Sequence, residues 1–186
     1  MDQTQFDKVR NWLFLAVVVF AVVHLTYEHF NGGIVTHHLF MRADLPGLSN
    51  WWELLILPLL VWISASVIKK RIYSQSKGDS DARIGLRPVF NGFLGMLLVS
   101  TVQSIAFVTG YQSITMYLAG AVLLAALFLP LYRLEYILGH VIGSTFVFGP
   151  AIPFVGVLMF APISLLSHKC IIPLLKRFRT PNATEG

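Results

Sequence analysis

Long apolar stretches separated by basic segments constrain the fold of this chain more than any other feature. Of its 14 Lys and Arg residues, all but Arg42 lie before the first stretch, between alternate stretches or after the last. Cytoplasmic segments of membrane proteins carry an excess of Lys and Arg, so this distribution predicts a polytopic membrane protein with one basic side. Only 12% of the residues are charged, about half the fraction that is typical of soluble domains.

The number of crossings follows from the length of the apolar stretches. A helix needs about 20 apolar residues to cross the hydrocarbon core of a bilayer. Gly149, Pro150 and Pro153 interrupt the last stretch, which would otherwise form a helix of about 50 Å. We therefore predict an all-α bundle of six transmembrane helices in a single membrane domain, residues 1–186. The predicted spans are approximately 11–30, 51–68, 88–109, 113–132, 134–149 and 151–167.

The parity of six crossings predicts the orientation. Six crossings place the N-terminus, residues 69–87, Arg133 and the tail on one side, and leave only Arg42 opposite. Five crossings would separate the tail cations from the others, so we predict that both termini are cytoplasmic. Because targeting features are lacking, we expect a bacterial inner membrane. The lipid bilayer then accounts for the net charge of +5, and no nucleic-acid partner is expected.

The segments outside the predicted helices are expected to differ in character. Residues 34–41 are largely apolar and contain two histidines, so we predict an outer interfacial or re-entrant segment there. Residues 74–83 are polar and are expected to form a flexible loop. Residues 171–178 are expected to lie along the inner leaflet as a short amphipathic stretch, and residues 180–186 to form a disordered tail.

A pattern of histidines and carboxylates marks the outer end of the first predicted helix. His24 and Glu28 are four residues apart and therefore share one helical face, whereas His29 points about 140° away. Ionisable groups at this depth in a membrane are costly, and they normally face the bundle interior. Further ionisable residues are expected on the same side of the membrane, namely His37, His38, Asp44 and Glu53.

This pattern points first to a metal or haem site. Imidazole is the usual ligand for zinc, copper, iron and nickel, and a carboxylate one turn away can bind the ion or orient the ring. His140 lies at a comparable depth in helix five, and two facing histidines hold haem in many proteins. The alternative is that His24 and Glu28 hydrogen-bond to each other and only lock the helices together. The candidate ligands are His24 and Glu28 first, then His140, His37, His38 and His29.

Two further functions fit the sequence, and whether the protein is an enzyme stays open. Helix three is the most polar uncharged span, and Asn91 and Gln103 on it, with Ser144 on helix five, are candidates for a solute path. The second hypothesis is therefore a small-solute binding or transport subunit. The third is a membrane scaffold or assembly factor with partner subunits. The single cysteine, Cys170, excludes an internal disulfide and a zinc site built from cysteines.

Local packing is also predicted from short patterns. Arg133 and Glu135 are expected to form a local ion pair at the start of helix five. Gly139 and Gly143 form a small-xxx-small pattern, which permits close approach of a neighbouring helix. Proline residues are expected to kink helices two, four and six, at Pro58, Pro130 and Pro162.

Overall fold

The computed structural model describes residues 2–38, 42, 44–75 and 79–179, with the side chains of 75, 79–84 and 176–179 excepted. The described part is mainly helical and also contains one two-stranded antiparallel sheet. The elements are α1 Gln3–Phe30, β1 Thr36–His38, β2 Gly47–Ser49, α2 Glu53–Gln75, α3 Asp79–Val108, α4 Gln112–Phe128, α5 Leu134–Phe148, α6 Ala151–Leu166 and α7 Ile172–Arg179.

Four helical segments of the described chain are long and apolar enough to cross a membrane, judged by length and composition. These are Gln3–Phe30, Asn50–Ser74, Gly85–Val108 and Ala151–Leu175, while α4 and α5 are apolar but shorter. Large apolar side chains face outward along the bundle, as at Phe30, Tyr117 and Phe128. Exposed apolar surface on this scale is typical of a face that contacts lipid or another apolar partner. The helical, membrane-type architecture therefore agrees with the prediction.

Two helices continue beyond their apolar parts. Residues 74–83 were predicted to form a flexible loop, but α2 runs on to Gln75 and α3 already begins at Asp79. That prediction was wrong because a helix need not end at the edge of its apolar part, and Lys and Arg are good helix formers. Residues 76–78, the middle of the predicted flexible loop, lie outside the described residues.

Pro130 ends α4 instead of kinking it. The helix stops at Phe128, and Leu129 adopts an extended conformation. A residue that precedes proline is disfavoured in the helical region, so α4 is shorter than the predicted span of 113–132. Pro58 and Pro162, in contrast, lie inside the continuous helices α2 and α6.

The connection between α1 and α2, which was predicted to contain an interfacial or re-entrant segment, contains a β-hairpin. Thr36, His37 and His38 pair in antiparallel register with Ser49, Leu48 and Gly47. Over these three residues the segment is a paired strand, which satisfies backbone groups that a lone apolar segment would leave open. Its position at the membrane interface stays a prediction. Residues 39–41 lie outside the described residues.

Two glycines bring α5 against α3. A Cβ atom at Gly143 would lie 2.7 Å from the carbonyl oxygen of Leu97, and one at Gly139 would collide with the carbonyl oxygen of Phe93. The predicted close approach at this small-xxx-small pattern is confirmed. Because the residue numbers rise together along both helices, α3 and α5 run parallel.

Consecutive helices run in opposite directions and create two ends of the bundle. At one end, which we call the hairpin end, the end of α1 meets the start of α2, beside the β-hairpin. At the other, which we call the basic end, Lys69 on α2 donates to Asp7 on α1 over 2.6 Å. Arg71 donates to Glu135 on α5 over 2.8 Å. The predicted Arg133–Glu135 pair is wrong, because tertiary packing presents Arg71 to this carboxylate instead.

The apolar core lies among α2 to α6, and α1 packs on its edge. Leu57, Met96, Val141 and Phe160 are central members of the core. After α6, a single π-helical turn, Ser167–Ile171, leads into α7. The amphipathic stretch predicted at 171–178 is therefore helical over nearly all its length, and the predicted tail at 180–186 lies outside the described residues.

Candidate functional site

The candidate site centres on His24, near the C-terminal end of α1. Its ring is 8% exposed and lies between two phenylalanines, stacked on Phe20 at 5.8 Å and tilted against Phe146 of α5 at 5.6 Å. The Nδ1 atom of His24 donates to a carboxylate oxygen of Glu53 over 2.8 Å. This bond joins the end of α1 to the first residue of α2, so the antiparallel pairing of the two helices creates the site.

Glu28 occupies the other side of the His24 ring. Its Oε1 atom lies 3.8 Å from Nε2 of His24, which is too long for a hydrogen bond. The carboxylate is held in place by other donors. Asn50 donates to Oε1 over 2.6 Å, and the backbone N–H of Val35 donates to Oε2 over 3.2 Å.

The loop between α5 and α6 closes the site from the side. Gly149 has a φ of +63° and a ψ of 175°, a combination that only glycine adopts readily. A Cβ atom there would overlap the side chain of Asn50 and would lie 3.6 Å from the ring of His37. The close approach of this backbone therefore holds Asn50 in contact with Glu28.

The cluster of His24, Glu28 and Glu53 holds two acids and one base, and one acid oxygen has no partner. Glu53 is fully buried, and its Oε1 atom accepts no hydrogen bond. A buried charge without a counter-charge costs on the order of several kcal/mol. A cation or a bound proton at this cluster would remove that cost.

His37 faces the same region from the hairpin. Strand alternation places it on the opposite face from Thr36 and His38, and it is half-buried. Burial lowers the pKa of His37 below its usual 6.5, and the nearby charge of Glu28 opposes part of this shift. His37 is therefore neutral near pH 7, the state in which imidazole binds metals.

The geometry leaves one ring nitrogen available to a ligand. A carboxylate that accepts from Nδ1 fixes the tautomer in which Nε2 carries a lone pair. That lone pair faces Glu28 across the 3.8 Å gap. Metal–nitrogen and metal–oxygen bonds of about 2.0–2.2 Å suit an ion shared by two atoms roughly 4 Å apart. In the described part of the chain, however, no group of three or more His, Cys, Asp or Glu residues is arranged to hold a metal.

The structure places His140 in a different cluster from His24. Its Nδ1 atom lies 2.8 Å from the hydroxyl of Ser100 on α3, and its ring packs edge-on against Phe160 of α6. Phe146, which contacts His24, lies six residues further along α5, or about 9 Å of helix. The two histidines are thus not brought together, because their side chains leave α5 and α1 toward different neighbours.

The other histidines lie at the margin of the site or away from it. His29 is exposed and borders a separate cavity of about 340 Å³ between α1 and α2. His38 is exposed, and its Nδ1 atom lies 2.9 Å from the carbonyl oxygen of Leu45. His168, at the basic end, contacts the carbonyl of Ser164 and the ring of Tyr132.

The three residues predicted for a solute path do not line one cavity. Asn91 borders an open groove of about 560 Å³ between α3, α4 and α5, but Gln103 and Ser144 are not among its lining residues. Gln103 instead donates to the carbonyl of Thr115 and ties α3 to α4. Ser144 is buried on α5.

Two residues of the site, Glu53 and Asn50, were not among the candidate ligands predicted from the sequence. Glu53 was predicted to lie on the same side as His24, and the structure brings the two side chains into contact. A carboxylate at the start of an apolar helix is the signal that could have added Glu53 to the candidate ligands. Asn50 carries no such signal, since polar residues are common in turns. Its role depends on the positions of Glu28 and Gly149, which the sequence does not reveal.

Comparisons with known proteins identify no family for this chain. No family model matches the sequence, and no curated protein or solved structure is significantly similar to it.

Proposed function

We propose that this chain is an integral membrane protein that binds a divalent transition-metal ion at the hairpin end. The ion is held by Nε2 of His24 and Oε1 of Glu28, while Glu53 orients the His24 ring from the other side. The observation that carries this proposal is the arrangement Glu53–His24–gap–Glu28, with distances of 2.8 and 3.8 Å. It matches the carboxylate–histidine–metal geometry in which the carboxylate fixes the ring and raises its basicity.

A single ion fits this site better than haem does. Haem with two axial histidines needs two imidazoles facing each other, whereas His24 has a carboxylate on each side and His140 lies in a separate cluster. Two protein ligands leave the ion open to solvent or to a third ligand, for which the neutral imidazole of His37 is a candidate. An open coordination position permits activation of water or binding of a substrate.

The proposed site faces the side of the membrane opposite the basic residues. With six crossings and both termini cytoplasmic in a bacterial inner membrane, His24 lies toward the outer surface. An ion or a lipid-soluble substrate on that side would reach it through the hairpin end. This orientation rests on the positive-inside rule.

Elemental analysis of the purified protein tests the metal proposal. We expect a stoichiometric transition metal in the wild type, and its loss in His24→Ala. His29→Ala is the matched control, because His29 lies on the same helix but is exposed and outside the cluster. Equal metal content in the two variants would contradict the proposal. A metal-free protein that binds a small solute, or one that co-purifies with a partner subunit, would favour the transport or scaffold alternative.

Cysteine labelling tests the orientation separately. In a Cys170→Ser background, a cysteine at Asp44 should react with a membrane-impermeant thiol reagent in intact cells, and one at Asp79 should not. Cys170 must be replaced because it is exposed. The reverse pattern would invert the assignment, and labelling of both positions would remove the six-crossing arrangement.

A further inference from the structure

A groove at the basic end of the bundle has the dimensions of one lipid chain. It has a volume of about 560 Å³ and lies between α3, α4 and α5. Along α3 it extends from Pro88 to Val99, a rise of about 17 Å. The hydrocarbon core of one leaflet is about 15 Å deep, half of the ~30 Å bilayer core. The groove therefore spans one leaflet, the one at the basic end.

The walls of the groove are apolar and are kept open by small side chains. Gly95 on α3 has no atom within 4 Å of the position where a Cβ would lie, and Ala121 and Ala125 line the facing wall on α4. Larger side chains at these positions would fill the space between the two helices. An apolar cleft of several hundred Å³ is within the range of ligand sites.

The polar groups of the groove gather at one end. Asn91 on α3 and Tyr136 on α5 both line it near the basic end. Neither side chain forms a hydrogen bond with another described residue. Polar atoms without protein partners at the end of an apolar cleft are available to a ligand that is polar at one end only.

Two arginines flank this polar end. Arg87 precedes the lining residue Pro88, and Arg133 lies between the lining residues Leu131 and Tyr136. Both arginines are exposed, and neither forms an ion pair with a carboxylate in the described part of the chain. Two other basic side chains at this end, Arg71 and Lys69, are already paired with Glu135 and Asp7.

We propose that this groove binds an anionic phospholipid from the basic-side leaflet. One acyl chain lies in the cleft between α3 and α4, and the phosphate contacts Arg87 and Arg133, with Asn91 and Tyr136 as hydrogen-bond partners. Basic pockets between transmembrane helices on the cytoplasmic side are known to bind anionic headgroups. The combination of a leaflet-length apolar cleft with two unpaired arginines selects a lipid over a soluble anion.

Native mass spectrometry of the detergent-solubilised protein tests the headgroup contact. We expect phosphatidylglycerol to bind more tightly than phosphatidylcholine with the same chains, and the double variant Arg87→Gln/Arg133→Gln to weaken phosphatidylglycerol about 10- to 30-fold. Lys70→Gln is the control, because Lys70 is exposed at the same end but lies on α2. Equal affinity for the two lipids, or an equal loss in the control, would overturn the proposal.

Filling the groove tests the chain contact. Gly95→Leu should abolish phosphatidylglycerol binding, whereas Gly120→Leu should retain it, because Gly120 has equally open surroundings but does not line the groove. Ala121→Leu provides the same test from the α4 wall if Gly95→Leu does not fold. Retained binding in the folded groove variants would overturn the chain assignment.

Two further outcomes of the same experiment identify a different occupant. If millimolar inorganic phosphate displaces the lipid, the arginines form a plain anion site and the lipid proposal fails. If Gly95→Leu changes the ratio of monomer to dimer and leaves lipid binding unchanged, a second copy of the chain occupies the groove instead.

Discussion

The two ends of the bundle differ in how their acidic side chains are paired. At the basic end, Glu135 and Asp7 each have a Lys or Arg partner within 2.8 Å. At the hairpin end, Glu28 and Glu53 share a single histidine. The nearest Lys or Arg in the sequence, Arg42, is exposed and is paired with Asp44, whose pKa it lowers.

This difference separates a structural role from a binding role. Each acid at the basic end is paired with a permanent cation, and these ion pairs join α1, α2 and α5. One oxygen of each, Oδ1 of Asp7 and Oε2 of Glu135, accepts no hydrogen bond, but the charge of the carboxylate is balanced. At the hairpin end, Glu28 and Glu53 face one histidine, and neither forms an ion pair with a Lys or Arg among the described residues, so their charge is balanced only when a cation or proton is bound. The comparison explains why we place the function at the hairpin end.

The largest effect is expected when the basic end loses a cation. Arg71→Ala leaves Glu135, which is 2% exposed, without its counter-charge. Because Arg71 itself is partly exposed, we expect a loss of about 2–3 kcal/mol of unfolding free energy, below the 3–5 kcal/mol seen for fully buried pairs. Arg133→Ala is the control and should cost less than about 0.5 kcal/mol. Chemical denaturation in detergent measures both, and an equal loss would restore the local Arg133–Glu135 pair.

A substitution at Gly149 tests how the hairpin end is held together. Gly149→Ala forces a side chain into a glycine conformation and against Asn50, so we expect a loss of about 1–3 kcal/mol. It should also weaken metal binding, because Asn50 positions Glu28. The matched control is Gly110→Ala, which also has a positive φ but open surroundings. If both variants bind metal as the wild type does, Asn50 does not position the site.

Removing the charge of Glu53 tests whether this acid supports metal binding at the hairpin end, in contrast to the structural ion pairs of the basic end. Glu53→Gln should weaken Zn²⁺ binding about 10- to 100-fold, the range measured for carboxylates that orient a histidine ligand. Its effect on the unfolding free energy of the metal-free protein should be smaller than that of Arg71→Ala, because one excess buried acid is removed. Isothermal titration with Zn²⁺ measures the affinity. Unchanged affinity would show that Glu53 does not act through His24.

The smallest effect concerns the pH response of the hairpin end. Burial lowers the pKa of His37 below 6.5, so the folded state binds fewer protons than the unfolded state as the pH falls through 6.5. The contribution of His37 to stability is therefore present above this value and is lost below it. Between pH 8 and 5.5, we expect the unfolding temperature of the wild type to fall by up to about 2 °C more than that of His37→Gln. Parallel curves would contradict a role for His37.

Sequence reasoning succeeded where the answer lay within one helix. His24 and Glu28 share a face by their spacing alone, and Gly139 and Gly143 predicted a close helix contact that α3 supplies. It failed where an answer depended on another element, as for Arg71 replacing Arg133 beside Glu135. Sequence reasoning also did not reveal that His24 and His140 lie in separate clusters, because the rotation of α1 and α5 about their axes decides which neighbours these side chains contact.

The length of an apolar stretch can be read from the local sequence, and in hydrocarbon such a stretch forms a helix because its backbone groups must bond to each other. Which side chains share a face also follows from the local sequence, because a helix repeats every 3.6 residues. These determined a helical, membrane-type chain whose His24 and Glu28 lie on one face. Only the tertiary structure decided which residues complete the cluster. The antiparallel register of α1 and α2 brings Glu53 to His24, and the loop at Gly149 holds Asn50 beside Glu28. Such partners come from distant parts of the chain, and only side-chain packing across helices selects among the many possible pairings.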